Sequence, residues 1–143
     1  MTPGPAMRTR GFSLIELVVA MGIIGLLAAI AIPSYLSYTR TANRTDATRT
    51  MTVDAQALER CYSQSFTYLA CAGAAAGTTP SSQGYYNVTI APAAASYTIT
   101  AVPIRAPQTG DTACATFTLN SAGTQGAMTS ANANNTQTCW GST

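Results

Sequence analysis

From Phe12 to Ile32 the chain runs for 21 residues with one ionisable side chain, Glu16, four positions after Phe12. As a helix this stretch spans roughly 30 Å, the thickness of a bilayer's hydrocarbon core. An ionised carboxylate in hydrocarbon is costly unless a positive group meets it. A simple membrane anchor gains nothing from that cost. A partner charge that appears late resolves the conflict: the α-amino group exposed if the chain is cut after Gly11. Arg8 and Arg10 precede the stretch and place the N-terminus on the cytoplasmic side. Two other readings compete. A conventional secretory signal peptide would be cut after Ala29-Ile30-Ala31, a small-x-small pattern. A permanent signal anchor would not be cut at all. Neither accounts for Glu16.

Small residues add to the assembly reading. Gly25 and Ala29, four apart, allow two helices to approach closely in an apolar environment. Pro33 lacks a backbone N–H and is expected to weaken or bend the helix there.

The run Arg10-Gly11-Phe12-Ser13-Leu14-Ile15-Glu16-Leu17 resembles the class III signal of type IV pilins and pseudopilins. The likeness is specific: it joins a short basic leader, the glycine, an aromatic, the glutamate and a long apolar run, and it covers residues 1–55. It implies cleavage between Gly11 and Phe12 by a prepilin peptidase, which is also the N-methyltransferase of Phe12. It implies that Glu16 neutralises the Phe12 amino group of a neighbouring subunit. It also implies that helical order is lost between Gly25 and Pro33 when subunits pack. Beyond residue 55 the likeness is architectural, aided by Cys139-Trp140, which is similar to minor pilins of the PilE kind. The implied partners are other pilin subunits, the pilus assembly machinery and, before assembly, the inner membrane.

Composition narrows the rest. Charged residues are 8% of the chain, histidine is absent, and all seven basic residues are arginine. Loss of Arg8 and Arg10 would leave five arginines against five acids. A near-neutral domain gives no support for a broad electrostatic footprint, so direct nucleic-acid binding is not expected. Without histidine there is no triad or common general base. Asp54 and Glu59 do not share a helix face, and no phosphate-binding glycine fingerprint occurs. Neither an enzyme nor a cofactor is expected.

Cys61, Cys71, Cys114 and Cys139 all follow the apolar stretch. An even number in a small translocated domain reads as disulfides, while zinc lacks any Cys-x-x-Cys pair. Three pairings are possible. Proximity favours Cys61–Cys71 and Cys114–Cys139.

After Pro33, Ala47, Met51, Ala55, Leu58 and Tyr62 recur at helical spacing and form one apolar stripe. This extends the helix to about Ser63, a spine of roughly 50 residues and 75 Å. Asp46 and Arg49 are spaced to pair on it. Residues 64–83 read as a loop. Strands are predicted at Tyr85–Ala91, Tyr97–Val102 and Ala115–Leu119, with a weaker one at Thr124–Met128. Residues 130–138 read as irregular, with Trp140 at the edge of the domain.

The resulting architecture is α+β: a long N-terminal helix packed on an antiparallel sheet of three to four strands, the type IV pilin fold. Its parts are a leader (1–11), a membrane or filament-core half-helix (12–33), an amphipathic half-helix (34–63) and a disulfide-bonded head (64–143). The implied function is a minor subunit of a type IV pilus supporting twitching motility, adhesion or DNA uptake. It would start in the inner membrane with its head in the periplasm and end in the extracellular pilus. Two alternatives stay open: a type II secretion pseudopilin, and a secreted binding domain with a conventional signal peptide.

Overall fold

A computed structural model describes residues 12–71 and 77–141. Gly11 lies outside the described residues. Those residues form two compact units, divided between Leu36 and Ser37.

In the first unit, Phe12 and Ser13 precede α1 (Leu14–Ser65), which opens where the Leu17 N–H meets the Ser13 carbonyl at 3.2 Å. Glu16 lies in its first turn, and Pro33 lies inside the helix. None of the most apolar 18-residue window is buried, and by length and composition α1 can cross a membrane.

The second unit takes the rest of α1 and a five-stranded sheet: β1 (Gly77–Pro80), β2 (Tyr86–Pro92), β3 (Tyr97–Pro103), β4 (Thr116–Asn120) and β5 (Gln125–Met128). The strands pair in sequence order and every pairing is antiparallel. A meander needs only short reversals between neighbours, which suits an uninterrupted run of strands. Alternation decides which face is buried: Tyr86, Val88 and Ile90 on β2, Tyr97, Ile99 and Ala101 on β3, Phe117 and Leu119 on β4, and Ala127 on β5. The register aligns them in rows, with Val88 opposite Ala101, Ala101 opposite Phe117, and Phe117 opposite Ala127. Ala47, Met51 and Leu58 of α1 complete this core. Each large side chain so buried contributes about 1.5–3 kcal/mol.

Three expectations change. The sheet has five strands, not three to four. The added strand, β1, is Gly-Thr-Thr-Pro, exposed along its whole length, so it carries no alternation to read. Its Thr78 hydroxyl meets that of Thr89 on β2 at 2.9 Å. The tail is not wholly irregular: Met128 bridges Asn134, and α2 (Thr136–Trp140) follows. Asp46 does not pair with Arg49. It is buried and accepts hydrogen bonds from the Ser81 hydroxyl, the Gln83 N–H at 2.9 Å and the Tyr85 N–H at 3.4 Å. Three donors from one turn satisfy a buried carboxylate far better than one mobile arginine on its own helix.

Cys61 is bonded to Cys71 and Cys114 to Cys139. The first pair closes the end of α1 onto a 3₁₀ turn, Tyr68–Cys71, and the second ties the start of β4 to α2.

Candidate functional site

Two surfaces carry the chemistry. On the first unit, Phe12, Leu14, Ile15 and the following leucines, isoleucines and valines are all exposed. Gly22 and Gly25 have open space where a Cβ would stand, so another helix can approach their backbone closely. Glu16 interrupts this apolar surface in the first turn of α1. There the unpaired N–H groups and the helix dipole favour a negative charge, which offsets part of its cost in hydrocarbon.

On the second unit the tertiary fold sorts the charges. Arg44 and Asp111 form the one ion pair among the described residues, with side chains 13% and 4% exposed. Asp46 is buried under the Ser81–Tyr85 turn, and Asp54 is half-buried, its carboxyl raised above the usual range by that burial. Glu59 is the one exposed acid of this unit. Arg49, Arg60 and Arg105 are exposed. The solvent-facing charge of the head is therefore positive, although its residue count is close to balanced.

Arg40 and Arg44 hold the β3–β4 connection against α1. Arg40 Nε donates to the Pro107 carbonyl at 3.2 Å. Gln108, fully buried, donates through Nε2 to the Arg40 carbonyl at 3.1 Å and to the Tyr86 hydroxyl at 2.6 Å. Burial raises the Tyr86 hydroxyl above its ordinary value, and the bond to Gln108 partly counters this.

At the other end of α1 the Tyr68 hydroxyl lies 3.0 Å from each Glu59 carboxylate oxygen. Its ring stacks on Tyr62 at 4.4 Å and meets Tyr97 edge-on at 5.0 Å. Burial first, and then the Glu59 carboxylate, push the Tyr97 hydroxyl up to about 12 and raise that of Tyr68.

Trp140 is half-buried at the edge of the head. Its indole Nε1 donates to the Gly126 carbonyl at 2.9 Å, and its ring meets Phe117 edge-on at 6.2 Å. Between it and α1 lies an open cleft of about 330 Å³, lined by Thr48, Arg49, Thr52, Val53, Gln125 and Trp140.

Residues 33–118, more than half of the chain, match the protein family described as "Type IV minor pilin ComP, DNA uptake sequence receptor". This chain belongs to that family of type IV minor pilins. Residues 6–32 match the prokaryotic N-terminal methylation motif. The family is one of structural pilins. Similar curated proteins include "Prepilin peptidase-dependent protein D" of Escherichia coli, 48% identical over 54 residues, or 38% of this chain and 37% of that protein. A "Fimbrial protein" of Pseudomonas aeruginosa is 58% identical over 40 residues, 28% of this chain and 24% of that protein. The chain thus spans well under half the length of these relatives. A type IV pilin from Shewanella oneidensis has a similar structure, with a TM-score of 0.48 and 28% identity over 60% of this chain and 89% of that one.

The structure puts Phe12 and Glu16 at the start of α1, and Gly25 and Pro33 within it. The disulfides belong to the second unit. Reasoning from sequence missed Arg44, Asp111 and Gln108 and gave Asp46 the wrong partner. Their partners lie 22 to 68 positions away, and no local pattern marks them.

Proposed function

We propose that this chain is made as a precursor and cut between Gly11 and Phe12 by a prepilin peptidase, which also methylates Phe12. Residues 12–33 then hold it in the inner membrane by a single pass, with the head in the periplasm. From there it is packed with other pilins into a type IV pilus serving twitching motility, adhesion or DNA uptake. Glu16 meets the Phe12 amino group of an adjoining subunit as it docks, and the segment from Gly25 to Pro33 yields when the helix is packed. The observation that carries this reading is Glu16, a lone acid in the first turn of a helix whose apolar surface is otherwise uncovered. Mass spectrometry of the mature N-terminus tests it. Methylated Phe12 is the expected result. A mature chain starting at Ile32 would mark a secreted domain with a conventional signal peptide and end the pilin reading.

A second, compatible role is favoured by the sorting of charges on the head. The family's description names a DNA uptake sequence receptor. Arg49, Arg60 and Arg105 are exposed while Glu59 is the one exposed acid of the head, which supports phosphate contact despite the near-neutral count. The sequence argument against nucleic acid rested on totals, not on which charges reach water. Duplex binding by the detergent-solubilised chain at several salt concentrations is the test. Replacing the three arginines by alanine should weaken binding and flatten the salt dependence by up to about three counterions. Unchanged affinity and slope would remove this role.

A further inference from the structure

Residues 102–107 read Val-Pro-Ile-Arg-Ala-Pro: five apolar residues, one arginine, and no hydroxyl, amide or acid. They cover the end of β3 and the start of its connection to β4. Val102 is 38% exposed and Ile104 is 45% exposed, and Arg105 and Ala106 also face water. The segment is held from behind. The Ile104 N–H donates to the Tyr85 carbonyl at 2.9 Å, and the Pro107 carbonyl accepts from Arg40 Nε at 3.2 Å. With its backbone fixed in this way, Ile104 stays presented to a partner without further ordering.

The place of this segment along α1 selects the partner. Through Pro107 and Gln108 it meets the helix at Arg40. The other anchors of the head, at Arg44, Asp46 and Glu59, come later in α1. Ile32, the last residue of the apolar stretch, precedes Arg40 by eight positions, about 12 Å of helix. A bilayer's headgroup layer extends roughly 5–7 Å beyond its hydrocarbon on each side. A helix whose apolar stretch fills the hydrocarbon therefore leaves the lipid about four residues before Arg40. Tyr38 lies in that interval and is 74% exposed, and tyrosine is enriched where hydrocarbon gives way to headgroups. Charge agrees as well. Asp111, the acid nearest to the segment in sequence, is already paired with Arg44, so nothing there repels an anionic surface.

We propose that, before assembly, residues 102–106 rest on the phospholipid surface, with Val102 and Ile104 in the headgroup layer and Arg105 on lipid phosphate. The membrane then holds the chain at a second point besides α1. This inference rests on the inner-membrane reading above. It also orders the two uses of Arg105. Lipid phosphate occupies it until the chain leaves the membrane, and only then is it free to meet DNA.

The test exploits the fact that all four cysteines are in disulfides, so one added cysteine carries a probe by itself. The full-length chain is inserted in vesicles of phosphatidylethanolamine and phosphatidylglycerol, with a fluorophore on Thr109→Cys or, for reference, on Ser63→Cys. Both positions are exposed. Lipid bearing a nitroxide on its headgroup should quench the probe at 109 at least about threefold more than the probe at 63. Tethering by α1 alone predicts the same, so the deciding variant adds Ile104→Ser and Arg105→Gln, whose side chains both face water. Quenching at 109 should then fall by about half or more. Quenching that ignores the two substitutions would overturn the docking, and so would equal quenching at 109 and 63. If the chain fails to float with the vesicles, the inner-membrane reading fails and takes this contact with it. If it floats and the substitutions change nothing, the contact alone fails.

Discussion

Arg44 grips Asp111 with both arms of its guanidinium, Nε to Oδ2 at 2.7 Å and Nη2 to Oδ1 at 3.0 Å, across 67 positions of chain. This fork joins α1 to the connection before β4, and it is the point where the helix captures the far half of the sheet. Both side chains are largely withdrawn from water. Arg44→Ala should therefore cost about 3 kcal/mol, since it leaves a carboxylate buried without its cation. Asp111→Asn should cost less, because the amide still accepts one bond from Arg44. Thermal melts of both variants and of the double variant check this. Strictly additive effects would rule out a direct coupling.

Asp46 serves the turn before β2 in the same way, with a carboxylate that takes three donors from Ser81, Gln83 and Tyr85. Asp46→Ala is expected to destabilise the head by roughly 2–4 kcal/mol, as two backbone N–H groups and a hydroxyl lose their acceptor. Hydrogen exchange should quicken first at Gln83 and Tyr85. Unaltered protection there would mean that the turn holds without the helix.

Tyr97 makes the head sensitive to alkali. Its folded-state value is raised to about 12 from 10.0, first by burial and then by Glu59. A raised value means that the associated stability is complete below pH 10 and is lost as pH climbs through 12, because the unfolded chain releases its proton first. Denaturant midpoints should hold steady up to pH 10 and then fall. Tyr97→Phe should lessen that fall. A midpoint that declines equally in Tyr97→Phe would assign the effect to Tyr68 and Tyr86, whose hydroxyls are raised as well.

Glu16→Ala and Glu16→Gln remove the charge from an otherwise apolar surface. Insertion into the membrane and removal of the leader should persist, since hydrophobicity rises. Recovery in sheared fibres should drop by at least about tenfold, the loss of a compensated charge pair in a medium of low dielectric. Equal recovery of Glu16→Gln and the unaltered chain would show that the carboxylate plays no part in docking.

Much of the architecture could be read before any coordinates. The α1 stripe of Ala47, Met51 and Leu58 and the alternation of Val88, Ile90, Ile99, Phe117 and Leu119 reflect short-range periodicity, and each of those side chains is buried. β1 was illegible because four exposed residues have no inward face to mark. α2 was missed because its Thr-Gln-Thr start shows no apolar period; its place depends on Cys139 and on Trp140 reaching the Gly126 carbonyl. The excess of exposed arginine on the head was hidden for a different reason. Residue counts cannot tell that Asp46 and Asp111 lie inside while Arg49, Arg60 and Arg105 face water.

By itself the amino-acid order determined a long apolar helix with one acid in its first turn, an amphipathic continuation and a run of alternating strands. Helical and strand periods are local, and the cost of a charge in hydrocarbon does not depend on the rest of the fold. Only the tertiary structure decided where Arg44 and Asp46 find their partners, which charges remain outside, and that Phe66 stands exposed just past the end of α1. Those outcomes depend on groups brought together from distant parts of the chain, where burial and hydrogen-bond satisfaction, not spacing, select the neighbour.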